Sequence, residues 1–250
     1  MSLEKLTIAQ NIYAASGVDS NFTSINKFGR NLNIAIGVEE EIWDGSVAYV
    51  FPTDTTTMTH IRSAVDSATT QGAVIEVQGL DANWDLVVQT KALDGANSTT
   101  EVALDTALIR VFRMKVLDAS VMDQDIWIGD DDFVVAAAKA IITAGNNQTL
   151  MAIYTVPASF NAYMTCYYAH VNPGTNLDPT SNPIRLWAQD NANGYAPQLK
   201  HVVGQTSAGF QHFFTPYQKF GEKTDIYITA QPVGKAADVT AGFDLILVNV

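Results

Sequence analysis

The chain has 250 residues, of which 47% are apolar and 16% are charged. It has 14 basic and 26 acidic residues and a net charge of −12, which argues against binding to nucleic acid and against docking on an anionic membrane surface. The length allows one large β domain or two ordinary ones. An average soluble domain has roughly 25% charged residues, so uncharged polar residues and alanine must cover much of this surface. Such a surface fits a protein buried in an assembly, and it equally fits a β-rich protein, because strands use few lysines and glutamates.

The sequence carries no signal for secretion or membrane insertion. No basic segment precedes a short apolar stretch, and no apolar run approaches the length of a membrane span. The one cysteine, Cys166, has no partner for an internal disulfide and lies in a strand-like apolar run. It therefore predicts a buried, inert thiol in a protein made in a reducing cytosol.

The first 45 residues predict an extended N-terminal arm. The apolar residues near the start suffice for one or two helical turns, and an isolated helix of that length is marginal in water. We therefore expect residues 1–45 to order against a partner and to act as an attachment segment. The most distinctive stretch runs from Phe28 to Thr53, joins this arm to the first predicted strand and is called the lead here. The lead contains three adjacent glutamates, a Trp-Asp-Gly turn and a predicted strand at Val47–Phe51.

Alternating apolar and polar residues separated by turn clusters then predict a β-sandwich over residues 46–132. Its predicted strands lie at 58–66, 73–79, 84–90, 101–104, 107–115 and 125–129. A weaker pattern predicts a strand at 133–142, where alanines are framed by β-branched residues.

A second series of short strands and long loops predicts a jelly-roll-like sandwich over residues 133–250. Its predicted strands lie at 150–156, 162–172, 184–189, 199–203, 209–215, 225–230 and 242–248. The predicted fold is therefore all-β, with two β-sandwich domains, the second jelly-roll-like, preceded by an extended N-terminal arm.

The lead also carries a resemblance to a known family. Its Phe-Gly-Arg-Asn start at Phe28, acidic triple at Glu39–Glu41, Trp-Asp-Gly turn at Trp43 and Phe-Pro-Thr end at Phe51 resemble a family of tailed-bacteriophage virion proteins. The runs NQTLMAIYTVP, FGEKTDIYITA and AGFDLILV extend the similarity, so that it covers most of the chain from residue 28 onward. The resemblance implies a non-enzymatic structural component of the particle, and it leaves capsid decoration, the head–tail neck and tail or fibre attachment open.

The same resemblance implies partners and a location. The partners would be other virion proteins, such as major capsid, portal, neck or tail proteins, and further copies of the chain in a trimer or ring, because phage particles offer symmetric sites. The protein would reside in the virion after assembly in the host cytoplasm. No nucleic acid, membrane or cofactor is expected.

On this interpretation the lead is the attachment element. The apolar members would provide the footing that a segment ordering on binding requires, with Trp43 as the strongest contact. The glutamates would meet basic groups on the partner, or else form a solvated acidic loop. The expected interface residues are Phe28, Arg30, Ile34, Ile36, Val38, Glu39, Glu40, Glu41, Ile42 and Trp43.

The alternative function is a receptor- or glycan-binding module of a tail fibre. The second domain is rich in aromatic residues, and Trp187 and Tyr195 are the candidates for a carbohydrate platform, unless they belong to the core. No catalytic residues are predicted, because the chain lacks a GxSxG elbow and a Gly-rich phosphate loop. The four histidines lack metal-ligand spacing, and Asp130–Asp132 lacks the alternating pattern of a calcium loop, so no metal site is predicted.

Overall fold

The structure is a computed structural model, and it describes residues 15–16, 21–45, 47–132, 134, 137–172, 182–206 and 209–250. These residues are nearly all β, which confirms the predicted all-β, sandwich-like fold class. In chain order the strands are β1 (Phe22–Ile34), β2 (Glu40–Glu41), β3 (His60–Ser63), β4 (Val74–Leu80), β5 (Leu86–Ala92), β6 (Val102–Ala103), β7 (Arg110–Val116), β8 (Ile126–Gly129), β9 (Ala140–Ile142), β10 (Ile153–Thr155), β11 (Phe160–Asn172), β12 (Asn182–Asp190), β13 (Gln198–Gln205), β14 (Gly209–Phe220), β15 (Thr224–Ala230) and β16 (Ala237–Asn249).

Strands from both ends of the chain build one sandwich, called the second sandwich. One of its sheets has the order β1-β16-β11-β14, and the other has the order β10-β15-β12-β13, with β2 added beside β15. Inward side chains of both sheets form a common apolar core that includes the fully buried Tyr167 and Phe243. Every residue of β15 is buried, as expected for a strand covered on both faces.

The first sandwich lies between β2 and β10 in the sequence. Its sheets have the orders β6-β3-β8-β9 and β5-β4-β7, around a core that includes Met58, Ile61 and Ile75. In β4 the buried residues alternate with half-buried ones, which is the pattern that the sequence predicts for a strand with one face in a core. This sandwich is therefore an insertion into the second sandwich rather than a domain preceding it.

The predicted domain boundaries are wrong at the N-terminus. β1 pairs antiparallel with β16 in register from Phe22 opposite Val248 to Asn31 opposite Val239, and β2 pairs with β15. Strands β1 and β2 are therefore part of the second sandwich and not a free arm. The pairing gives β16 a neighbour on each side, and it satisfies backbone groups that a free arm would leave to solvent. Of the remaining predicted arm, residues 1–14 and 17–20 lie outside the described residues.

Two predicted strands are also corrected. Val47–Phe51 runs outside every ladder, because its aromatic side chains pack into a core while its backbone has no neighbouring strand. Of the predicted strand at 133–142, residues 133, 135 and 136 lie outside the described residues. Among the others the strand is limited to β9, which pairs with β8.

Candidate functional site

The lead forms a tight joint between the two sandwiches, and Gly29 allows a close approach of backbone segments there. A Cβ atom at Gly29 would lie 2.5 Å from both the amide nitrogen of Ala152 and the carbonyl oxygen of Ile42. These two groups hydrogen-bond to each other, with the Ala152 amide donating at 2.8 Å. Only glycine lets β1 pass over this contact, because backbone atoms cannot shift as a flexible side chain can.

Polar residues of the lead tie the joint together. Arg30 Nε lies 2.7 Å from Asp44 Oδ1, and the other oxygen of Asp44 accepts a hydrogen bond from Thr143 Oγ1 at 2.7 Å. Asn31 Nδ2 donates to Glu40 Oε2 and to the Glu41 carbonyl oxygen, each at 2.9 Å. Arg30 and Asn31 of β1 therefore bind the later part of the lead, at residues 40–44, and are not free to bind a partner.

The Trp-Asp-Gly turn is part of the first core. Trp43 is 2% exposed, and its Nε1 donates to the Val47 carbonyl oxygen at 2.8 Å. Its ring meets Tyr49 edge-on, with centroids 5.2 Å apart. A Cβ atom at Gly45 would lie 2.0 Å from the Trp43 ring, so the glycine of the motif gives the indole its space.

The three glutamates also have partners within the chain. Glu39 accepts hydrogen bonds from Thr229 Oγ1 at 2.6 Å and from Trp187 Nε1 at 3.2 Å, and its second oxygen lies 3.0 Å from Arg185 Nη1. Glu40 accepts from Asn31, and Glu41 accepts from the backbone amide of Tyr49 at 2.7 Å. The expectation that Glu39–Glu41 select a basic partner is therefore corrected, because the fold itself occupies these carboxylates.

The structure divides the other expected interface residues into three groups. Ile34, Ile42 and Trp43 are buried in the two cores, so their assignment to a docking surface is wrong. Phe28 and Arg30 are half-buried within the joint. Ile36 and Val38 remain exposed, at 58% and 44%. Sequence reasoning misassigned the buried members because an apolar residue in an irregular segment shows no periodicity that tells core from surface.

Ile36 and Val38 belong to an exposed turn that is fixed to a second turn. The Gly37 amide donates to the Pro232 carbonyl oxygen at 2.8 Å, and Gln231 Nε2 donates to the Gly37 carbonyl oxygen at 3.0 Å. Gly37 has a φ of +74°, which favours glycine. The second turn exposes Val233 at 52%. Residues 35–38 and 231–234 together are called the tip.

A shallow cleft of about 200 Å³ lies beside the lead. It brings together two of the predicted glutamates and the predicted Trp187, but not Tyr195. Trp187 is half-buried and packs against the first core, so the expectation of an exposed platform at Trp187 is corrected. Tyr195 is exposed on the turn after β12. The residues lining the Glu39 cleft are Glu39, Glu41, Trp187, Pro197, Tyr227 and Thr229.

Burial and like charge shape the electrostatics of the Glu39 cleft. Burial raises the pKa of Glu41 above its ordinary value, and Glu39 and Glu40 add to the increase, while the Tyr49 amide hydrogen bond opposes it. Burial, followed by the charge of Glu41, raises the pKa of Tyr227. The cleft thus presents the aromatic side chains of Trp187 and Tyr227 beside carboxylates that already accept hydrogen bonds within the chain. Aromatic side chains in a cleft are suited to hold a neutral polar ligand such as a sugar.

The cysteine and the acidic cluster singled out in the sequence make contacts within the fold. Burial raises the pKa of the Cys166 thiol to about 11, and the Asp244 carboxylate that accepts its hydrogen bond at 3.2 Å contributes to the increase. The described residues contain no group of three or more His, Cys, Asp or Glu side chains arranged to hold a metal ion. In the predicted acidic cluster, the Asp132 amide donates to Glu101 Oε2 at 2.9 Å.

Sequence reasoning missed a buried ion pair between the two sandwiches. Arg110 of β7 binds Asp225 of β15 through two hydrogen bonds of 2.8 Å, and both side chains are almost fully buried. Asp225 also accepts hydrogen bonds from Thr155 and Asn191. The Arg110 guanidinium lies 4.8 Å from the Trp84 ring centroid. A charged residue in an alternating strand is expected at the surface. The contact becomes visible only in the folded structure, where Arg110 of β7 lies against Asp225 of β15.

Comparison with known proteins assigns no family to the chain. No protein-family model matches the chain, and no curated protein matches it. In the part of the chain that the structure describes, no helix is long and apolar enough to cross a membrane.

Proposed function

We propose that the protein is a non-enzymatic structural component of a tailed-bacteriophage particle, either a capsid decoration or a neck or tail attachment protein. The resemblance of the lead to virion proteins and the low-charge β surface support this role. Its partners are other virion proteins, and its place is the virion after assembly in the host cytoplasm.

One observation carries the proposal and relocates the attachment surface. The tip groups three exposed apolar side chains, those of Ile36, Val38 and Val233. Leu32, Val47 and Val50 of the lead are also exposed, but they lie outside the tip. The two turns are held by backbone and side-chain hydrogen bonds, so the tip is preorganised and loses little conformational entropy on binding. The partner surface would therefore be an apolar recess on another virion protein.

Particle incorporation tests this surface. Ile36→Asp and Val38→Asp place a charge in the proposed contact, and each is expected to lower incorporation into purified particles by about tenfold or more, because burying an unpaired charge is unfavourable. Val88→Asp is the matched control, since Val88 is 56% exposed on β5 of the first sandwich. Mass spectrometry of purified particles measures the amount of each variant incorporated relative to the wild type.

Two different negative outcomes distinguish a wrong attachment surface from a wrong function. Equal incorporation of the tip variants and the control would show that the tip is not the attachment surface. Absence of the wild-type chain from purified particles would overturn the structural role itself.

A second candidate is glycan binding, and the Glu39 cleft favours it. Binding by the full chain on a glycan array, lost in Pro197→Asp and retained in Val88→Asp, would support this candidate, because Pro197 lines the cleft. Tyr195→Ala tests the predicted aromatic residue outside the cleft. The isolated segment 133–250 is unsuitable for this assay, since it lacks β1 and leaves β16 with an open edge.

A further inference from the structure

The second sandwich has one covered side and one open side. On the covered side the first sandwich and the lead close over β1 and β10: Lys27 Nζ donates to the Phe112 carbonyl oxygen, and Trp43 bridges to Met151. On the open side β13 and β14 end their sheets, each with a single strand neighbour among the described residues, β12 and β11. The two edges are consecutive in the chain, so they lie on the same side of the sandwich.

The open side exposes apolar side chains on both strands. Val202 of β13 is 50% exposed and Phe213 of β14 is 65% exposed, and Leu199 is exposed as well. Between the two sheets, the inward aromatic residues Phe210 and Phe214 are only half-buried where they pack against the core. Exposed apolar side chains on two neighbouring edge strands, with half-buried aromatic residues between the sheets, indicate a contact surface.

The segment that contains both edge strands has no acidic residue. No Asp or Glu occurs from Asn191 to Gly221, although the chain has 26 acidic residues in total. The charged residues in this stretch are Lys200 and Lys219, together with the titratable His201 and His212, whose ring centroids lie 4.5 Å apart. The segment is therefore neutral to weakly basic on a strongly acidic molecule.

The edge of β14 lacks the usual protection against strand pairing. From Gly209 to Phe213 it pairs regularly with β11, and the residues through Thr215 include no proline, lysine or acidic side chain. Natural edge strands are commonly blocked by such residues. Pro216 and Lys219 lie beyond this section, next to the irregularity in the pairing.

We propose that the open side of the second sandwich is covered by another copy of this chain, which makes the protein a homo-oligomer. Charge selects this occupant: two molecules of net charge −12 repel at most surfaces, and a segment without acidic residues is where two copies approach at the lowest electrostatic cost. The outer edges of β13 and β14 have no strand neighbour in the part of the chain that the structure describes, and their backbone groups add hydrogen-bonding capacity to the apolar contact. The inference does not depend on the particle role proposed above.

Sedimentation of the purified full chain over a range of concentrations tests the proposal. We expect the wild type to have a mass that is a multiple of 27.1 kDa. Val202→Asp and Phe213→Asp should weaken association by about tenfold or more, because each places a carboxylate in the contact. Val88→Asp is the matched control, as an equally exposed valine on an edge strand of the other sandwich, and it should associate like the wild type.

Three results would overturn the proposal. One is a wild-type chain that stays monomeric at the highest concentration reached, which is also the result if residues 1–20 of the same chain cover the open side. Another is association that Val202→Asp leaves intact or that Val88→Asp weakens equally. The third result needs no variant and applies even if the charged variants fail to fold. Hydrogen exchange of the β14 amides at residues 209–213 of the wild type should slow as protein concentration rises. Exchange that does not depend on concentration would contradict the proposal.

Discussion

Trp43 belongs to the core rather than to a docking surface, and its removal tests this at the residue scale. Trp43→Ala deletes a buried ring that packs on Tyr49, so we expect a loss of about 3–5 kcal/mol in the free energy of unfolding. Urea unfolding followed by circular dichroism measures it. Ile36→Ala, at an exposed position of the tip, should stay within roughly 0.5 kcal/mol of the wild type. Equal effects of the two changes would contradict the assignment.

The ion pair between the sandwiches gives a second prediction at this scale. Asp225→Asn leaves the buried Arg110 guanidinium without a compensating charge, and breaking a buried pair in this way costs about 3–5 kcal/mol. Asp105→Asn breaks the Lys91–Asp105 pair, in which the aspartate is largely exposed, and should cost at most about 1 kcal/mol. Chemical denaturation of both variants compares the two losses, and equal losses would mean that Arg110 finds other compensation.

Lys27 predicts a pH dependence of stability. Burial, with a further contribution from Arg113, holds the pKa of Lys27 well below its ordinary value of 10.5. Between the folded-state pKa and 10.5 the unfolded chain binds the extra proton, so this residue makes stability rise with pH, by at most about 1.4 kcal/mol per pH unit. Lys27→Met should therefore show a smaller rise as the pH increases toward 10.5, measured by chemical denaturation at a series of pH values. Identical slopes for wild type and variant would contradict a lowered pKa of Lys27.

At the scale of elements, periodicity predicted the strands that alternate between a core and an exposed face. In β4, Ile75 and Val77 share one side and are fully buried. β1 escaped detection because its buried positions include Lys27 and Asn31, whose polar groups find partners only in the folded chain. Its neighbour β16 lies at the other end of the sequence, and a single sequence contains no signal for such a pairing.

Truncation tests the placement of β1. Removing residues 1–45 deletes β1 and β2, opens the edge of β16 and strips the lead from both cores, so the product should fail to fold. Removing residues 1–20 leaves β1 intact, and this shorter truncation should retain the β-sheet spectrum and a cooperative unfolding transition. Circular dichroism and thermal melts distinguish the two. A stable fold after the longer deletion would restore the lead as a separate attachment segment.

At the scale of the whole molecule, composition predicted the fold class but not the arrangement of its parts. A low charge fraction and regular turn spacing indicated two sandwiches, yet the insertion of one into the other follows from the β1–β16 pairing. The candidate surfaces were predicted only in part. Ile36 and Val38 are exposed as an attachment residue must be, whereas the open side of β13 and β14 depends on which strands lie at the sheet edges, which local patterns do not specify.

Cryo-electron microscopy of purified phage particles, at a resolution that resolves two joined sandwiches of a 27.1 kDa subunit, tests the proposed particle role and both proposed contact surfaces. We expect copies of the chain on the particle, with the tip turned toward another virion protein and the β13–β14 side against a neighbouring copy. Particles without this subunit, or with the tip facing solvent, would contradict it.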